Sequence, residues 1–529
     1  MKINKYKILL LLTFMFLVYK AYYVYIYLIN NSIPVYDSVI YEKNQIIRYL
    51  NFRQNFSLIE KYNQIIYEFS GNHVSAIFNI ICIIINPKLL INDVDIFARG
   101  IIAISILFLS IHQFVNQQIK ISVLILLGIS SLPTLFHYRF GIFAYIPDLI
   151  SGLFLLSAYI YSLTYLRIKN VKNLLYAIIL IFLAIGFRFN FFVFSGIVFF
   201  PIGLIIIKSV LNNKNYKSNK LLFFLISVIS IGLIFYVYFN FNAFIDYYGR
   251  DAKYAEISLN SSFNSFLEYL INEINILFIV SLLIINSILN NCFYDSNIKV
   301  KNSLLLYPFI ALAFFLVFYM KATNQPHVFS VLFLFLIPIA FTKNNLLVFG
   351  EKVNKKYFIY TILILNIVIN LICFKNKIVN IKESEIDNSG ILLANKIDKI
   401  TNYTTEKKYF LLFESALEIP LDVYFFKKYN TLYENKLKYY YTDFEYYSID
   451  KKLNYERILS HYITEIQNDK PELIILNSKN LNLGKDKSLG NKINIGLRNY
   501  VQKSKNYKYN SSMKYKNQKI LFYKLNKNI

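Results

Sequence analysis

The chain has 529 residues, is 56% hydrophobic and carries a formal net charge of +26. Its mean hydropathy of +0.42 sets aside an ordinary soluble protein, which would not read so apolar at this length. The positive charge lies largely between apolar runs and in the tail, and no basic-aromatic motif accompanies it. That distribution points to cytoplasmic loops facing anionic lipid and away from nucleic acid.

A basic segment, Met1 to Lys7, precedes an apolar stretch from Ile8 to Ile29. The stretch is too long for the usual apolar core of a signal peptide. It lacks a small-x-small cleavage site and ends in Tyr-rich sequence, so it reads as an uncleaved anchor. Further apolar runs occupy 98–116, 121–137, 147–166, 173–187, 189–207, 221–241, 264–290, 302–320, 327–342 and 357–374. Most approach the ~20 residues a helix needs to cross a ~30 Å hydrocarbon core. The expected fold is therefore a polytopic α-helical membrane protein with about eleven transmembrane helices within 1–374.

The Lys/Arg bias orients these spans with the N-terminus inside. Lys120; Arg167, Lys169 and Lys172; Lys208, Lys214, Lys217 and Lys220; Lys299 and Lys301; and Lys343, Lys352, Lys355 and Lys356 then fall in cytoplasmic gaps. The outside gaps carry mixed charge, as with Asp246, Arg250, Asp251, Lys253 and Glu256.

Two outside segments are large. Residues 30–97 read as amphipathic helices plus a short apolar run, Val74 to Ile85, expected to lie in the interface or to re-enter. Residues 375–529 read as a small soluble α/β domain, placed outside by the odd number of spans. Its expected strands are Tyr409 to Phe413 and Glu472 to Leu476, its helices 454–467 and 490–503, with a hairpin of imperfect alternation from Tyr507 to Leu525.

Cys82, Cys292 and Cys373 form no CxxC pair and sit in or near apolar runs, and the five histidines have no metal-binding spacing. Neither a Walker A motif nor a Rossmann fingerprint is present. This argues against ATP-driven transport and against a cytosolic nucleotide-sugar enzyme.

The polar residues that stand out cluster on the predicted outer side. The first outside loop opens Pro34-Val-Tyr-Asp37-Ser-Val-Ile-Tyr41-Glu42. An isolated Asp here reads first as a solvated loop carboxylate. Asp37, Tyr41 and Glu42, however, are spaced so that one short helix would present them together, and Asp37 would then serve as a general base. His137 and Arg139 end the third span, Asp148 opens the fourth, and Arg188 and Asn190 lie in the tight turn between the fifth and sixth. Lys321, Asn324 and His327 precede the tenth. Charges at membrane depth are costly and are usually paired or functional. Arg139 with Asp148 reads equally well as a structural pair. No acidic residue flanks Arg188 in the sequence; it fits a phosphate bound bidentately and, equally, a side chain snorkelling to the interface. His327, after a proline, reads first as a packed turn residue.

Taken in order, these features resemble the GT-C superfamily of membrane glycosyltransferases, and the plan is similar to that of the protein O-mannosyltransferases and the lipid A aminoarabinose transferases. The residues that carry the resemblance are the acidic motif at Asp37 and the segment Asp95-Ile-Phe-Ala-Arg99-Gly, where the family has an Arg opening the second span. A third is the stretch from Tyr138-Arg139 to Pro147-Asp148. The resemblance covers essentially the whole chain, as architecture and weak motifs. Many relatives carry Asp-Glu in the first motif; here Ser38 follows Asp37, and Glu42 is the next carboxylate. The resemblance implies that Asp37 is the catalytic base or orients the acceptor, with Glu42 the nearest carboxylate for the second role. It further implies that Tyr41, Arg139, Asp148, Arg188, Lys321 and His327 line the substrate site, with Arg139, Arg188 or Lys321 on the lipid phosphate.

The implied reaction moves a sugar from a polyprenyl-phosphate donor to a glycan, lipid or protein acceptor, with inversion, at the outer face of a bacterial-type plasma membrane. Relatives differ in needing a divalent metal, so that requirement is open. An O-antigen polymerase or ligase is the first rival, although such proteins place their large outside loop between late spans. A flippase of lipid-linked sugars is the second, disfavoured because the two halves of the chain show no repeat. A non-catalytic scaffold is the third. Trypsin added to intact spheroplasts is expected to cleave within 375–529; protection of that region there would contradict the topology.

Overall fold

The computed structural model describes residues 13–15, 17–22, 74, 78, 81–82, 84–86, 94–115, 122–123, 125–126, 129, 135, 148–188, 191–211 and 238 of the apolar part. Beyond them it describes 389–401, 409–413, 437–441, 455–477, 487–515 and 518–526. The chain forms two compact units.

In the first unit, four apolar helices are described from end to end: α1 (Val94–Phe114), α2 (Asp148–Ile168), α3 (Val171–Phe187) and α4 (Phe191–Leu211). They coincide within a few residues with four of the expected spans. Among the described residues, α1 and the Leu149–Ile168 stretch of α2 are long and apolar enough to cross a membrane; α3 and the body of α4 are shorter apolar helices. Positions 13–15 and 17–22 are helical within the expected first span, and 122–123, 125–126 and 129 within the third. Apart from Tyr238, the expected spans from 221 onward lie outside the described residues.

Every residue of α2 from Leu149 to Tyr165 is buried. A helix apolar on all sides has to be enclosed, and α1, α3 and α4 all pack against it. Its hydroxyls turn back on their own helix: Ser157, Ser162 and Thr164 donate to the carbonyls of Leu153, Ala158 and Ile160 at 2.8, 2.9 and 2.8 Å. The outer faces show the reverse chemistry. Ile101, Ile102 and Leu109 on α1, Ile179 on α3, and Phe200 and Leu204 on α4 are exposed.

Sequence sets the helix ends. Asn170 caps α3, its side-chain oxygen accepting from the Lys172 N–H at 3.0 Å. Arg188 closes the helix with extended backbone, its N–H donating to the Ala184 carbonyl at 3.0 Å. The Phe191 N–H donates to the Arg188 carbonyl at 3.1 Å, and α4 begins at Phe191.

The second unit is a five-stranded sheet with helices α5 (Ser389–Thr401), α6 (Tyr455–Asp469) and α7 (Lys487–Lys503). Its strands are β1 (Tyr409–Phe413), β2 (Leu437–Tyr441), β3 (Leu473–Asn477), β4 (Tyr507–Tyr515) and β5 (Gln518–Leu525). Their order is β2-β1-β3-β5-β4. The first three are parallel, and the β4–β5 hairpin runs antiparallel to β3. Continuous apolar runs such as Leu473 to Leu476 suit strands covered on both faces. Ile458, Tyr462 and Ile466 of α6 and Ile493, Leu497 and Val501 of α7 pack with Ile474 and Leu476 of β3 and Tyr523 of β5. Gly496 allows the two helices to approach, since a β-carbon there would lie 2.7 Å from Leu459 Cδ2.

The strand at 409–413 stands where expected, that at 472–476 is shifted by one residue, the helix expected at 454–467 runs from 455 to 469, and that expected at 490–503 begins three residues earlier. The imperfect alternation of the hairpin has a physical source, a bulge between Tyr509 and Ser511 that changes which residues face the core.

Candidate functional site

The α-helical unit has two chemically distinct ends. At one, Arg167 near the end of α2 donates from Nη2 to the Gln113 carbonyl at 3.5 Å, and its Cζ lies 5.3 Å from the centre of the Phe114 ring. Gln113 and Phe114 end α1, so α1 and α2 run parallel with their C-termini together. Helix α3 turns back at Lys169–Asn170 and runs antiparallel, which brings Phe187 onto Phe154 with ring centres 5.5 Å apart. The starts of α1 and α2 and the end of α3 therefore share the opposite end of the bundle.

That opposite end is where acidic and basic residues of the described part come together. Asp95 and Arg99 lie one turn apart at the start of α1, with Nη2 to Oδ2 at 3.3 Å. They are 0% and 2% exposed, and they sit on the α1 face that also buries Ala103, Leu107 and Phe114. Asp95 also lies in the first helical turn, where the macrodipole favours a negative charge. Two charges removed from water in this way attract strongly but carry a large desolvation cost, so the pair is better evidence for a fixed arrangement than for stability.

The first-loop segment reaches the same region. Described positions 74, 78, 81–82 and 84–85 are helical, in the short apolar run between Val74 and Ile85. A β-carbon on Gly186, near the end of α3, would collide with Val74 Cγ2, so the glycine is needed for this approach. Cys82, in the same apolar run, is a buried free cysteine.

Of the residues expected to line the site, Asp148 is the first residue of α2 and Arg188 caps α3, both at this end. Arg188 is half-buried and is not without an interaction partner. Asp37, Tyr41, Glu42, Arg139, Lys321 and His327 lie outside the described residues. Two features were not among the expected site residues. One is the Asp95–Arg99 pair, whose four-residue spacing was the available signal. The other is Lys20, buried within the first apolar run, where an ionisable residue is a marker of function or pairing. Among the described residues, no group of three or more His, Cys, Asp or Glu is placed to hold a metal ion.

No protein-family model matches the chain, and no curated protein matches it.

Removing one member of the buried pair leaves a charge without its counter-ion. Asp95→Ala alone or Arg99→Met alone is expected to lower stability by about 3–5 kcal/mol, and the double replacement Asp95→Leu with Arg99→Met to restore most of it. Denaturant unfolding in detergent reads this directly. Losses that simply add would contradict the pairing.

Proposed function

We propose that the chain is an integral membrane glycosyltransferase of GT-C type, moving a sugar from a polyprenyl-phosphate donor to an acceptor at the outer face of the membrane. In this reading about eleven helices within 1–374 form the membrane domain. Residues 375–529 form an extracytoplasmic domain, and the N-terminus is cytoplasmic. The observation that carries the proposal is the contrast between the two ends of the helical unit. Asp95, Arg99, Asp148 and Arg188 gather at one end, and Arg167 and Lys169 mark the other. Among the described residues, a basic inner end and a mixed outer end accord with the positive-inside rule. Exposed isoleucine, leucine and phenylalanine on the outer faces of α1, α3 and α4 support lipid contact.

The chemistry follows from what that outer end supplies. The acceptor oxygen or nitrogen attacks the anomeric carbon as the bond from that carbon to the carrier phosphate breaks. Asp37, at the entrance of the first outside loop, takes the proton from the acceptor. Negative charge grows on the departing phosphate, and fixed cationic groups shielded from water stabilise it best. Arg188, Arg139 and Lys321 are the residues assigned to that role, with Arg188 suited by its planar, two-pronged guanidinium. A single displacement inverts the anomeric centre.

General-base catalysis contributes about 10²–10⁴-fold to such reactions. Asp37→Asn is therefore expected to insert and accumulate normally while losing transfer by a factor of that order. Transfer from labelled polyprenyl-phosphate sugar in membrane vesicles measures it. Near-normal transfer by this variant would remove Asp37 from the mechanism.

A further inference from the structure

The second unit ends in a segment of one-sided charge. From Lys487 onward the chain contains eleven Lys and Arg and no Asp or Glu. That segment is α7, β4 and β5, with β4 the edge strand of the sheet. The register aggravates the imbalance. Lys508 stands opposite Lys524, and Lys514 opposite Lys519, although like charges directly across a ladder are destabilising. Lys524 is relieved by donating to the Ile400 carbonyl of α5 at 3.0 Å. Lys508 remains exposed.

Three of the charges lie at one corner, where α7 passes into β4. Lys503, Lys505 and Lys508 are all exposed there. The connecting turn is well braced. The Ser504 N–H donates to the Tyr500 carbonyl at 2.9 Å, the Asn506 N–H to Ser504 Oγ at 3.2 Å, and the Asn526 N–H to the Asn506 carbonyl at 2.8 Å. Among the described residues these three lysines form no ion pair. Beside them Tyr509 is 51% exposed, its ring edge-on to Tyr523 at 5.9 Å.

Lysines on an edge strand discourage pairing with another strand. That explains Lys508 and Lys514 but not Lys503 at the helix end or Lys505 in the turn. Three exposed lysines within six residues of a braced turn, with an exposed tyrosine next in the edge strand, instead suit a corner that meets lipid headgroups, where tyrosine sits at the interface and each lysine adds attraction to anionic lipid.

We propose that the corner formed by Lys503, Lys505, Lys508 and Tyr509 docks the second unit onto the anionic headgroups of the bilayer in which the chain is anchored. The proposal rests on the membrane reading above, but on neither sugar transfer nor the side of the membrane the unit occupies. Docking would hold the unit at the bilayer surface rather than leave it free on its tether.

Hydrogen exchange of the full chain in nanodiscs tests it, comparing phosphatidylcholine alone with a mixture containing a third phosphatidylglycerol. The expected result is exchange across 503–509 at least about tenfold slower in the anionic discs, since each lysine near such a surface is worth about a fivefold preference. The protection should vanish in 0.5 M salt, where screening is about twice as short-ranged as at physiological strength. It should also vanish in Lys503→Gln, Lys505→Gln, Lys508→Gln, a variant whose exchange in α6 and β3 stays unchanged. Equal exchange in both discs overturns the docking and leaves the membrane reading intact. Protection produced instead by soluble polyphosphate in neutral discs, with no effect of lipid charge, overturns it in favour of a soluble polyanion. Failure of the intact chain to enter discs removes the membrane reading and the docking with it.

Discussion

Helix α2 carries apolar side chains around its whole circumference, and the rest of the helical unit is arranged to enclose it. A helix of this kind has no face to show to water, so protein or lipid must surround its whole circumference. Helices α1, α3 and α4 provide that cover. Within so apolar a surrounding, hydroxyls have few partners. Ser157, Ser162 and Thr164 satisfy theirs on their own backbone, one turn back. The same constraint makes the Asp95–Arg99 pair informative. A charge this deeply buried is tolerated beside an opposite one, and these two lie in neighbouring turns of one helix, 3.3 Å apart.

From this enclosure comes the separation of the two ends. Parallel packing of α1 on α2 and antiparallel return through α3 bring three helix ends to each side of the unit. Arg167 is spread over Phe114 at one end, while Asp95, Arg99, Asp148 and Arg188 belong to the other. Gly186 lets the first-loop residue Val74 reach the same end. A reaction that develops charge on a phosphate benefits from cationic groups that are already in place and shielded from water. This is the physical connection between the bundle and the proposed transfer.

Much of the architecture is legible in the residues themselves. Apolar runs of helical length mark α1 to α4 within a few positions, because length and hydropathy decide whether a helix forms there. Pro471 and the run that follows it mark β3, and Tyr409 to Phe413 mark β1, because short β-branched, leucine and aromatic stretches favour strands. Strand β2 was not expected: Leu437-Lys-Tyr-Tyr-Tyr has the aromatic residues of a strand but no alternation to set it apart from the Lys- and Tyr-rich sequence around it, and its place beside β1 depends on long-range pairing. Helix α5 was also not expected: Leu393 and Ile397, four apart, are its buried positions, but the neighbouring Leu392 is exposed, so its short apolar run does not by itself mark one face. At the candidate site, the separation of basic from mixed-charge segments was legible from lysine and arginine placement, whereas burial was not. The sequence shows that Asp95 and Arg99 are four apart; only packing against α2 shows that both are removed from solvent.

The central claim is group transfer from a lipid carrier. Its most direct measurement uses the full chain in vesicles with polyprenyl-phosphate sugar labelled in both the sugar and the lipid. The account predicts that adding acceptor releases free polyprenyl phosphate in step with sugar appearing on the acceptor. Movement of intact lipid-linked sugar across the bilayer, with no free polyprenyl phosphate formed, would contradict it.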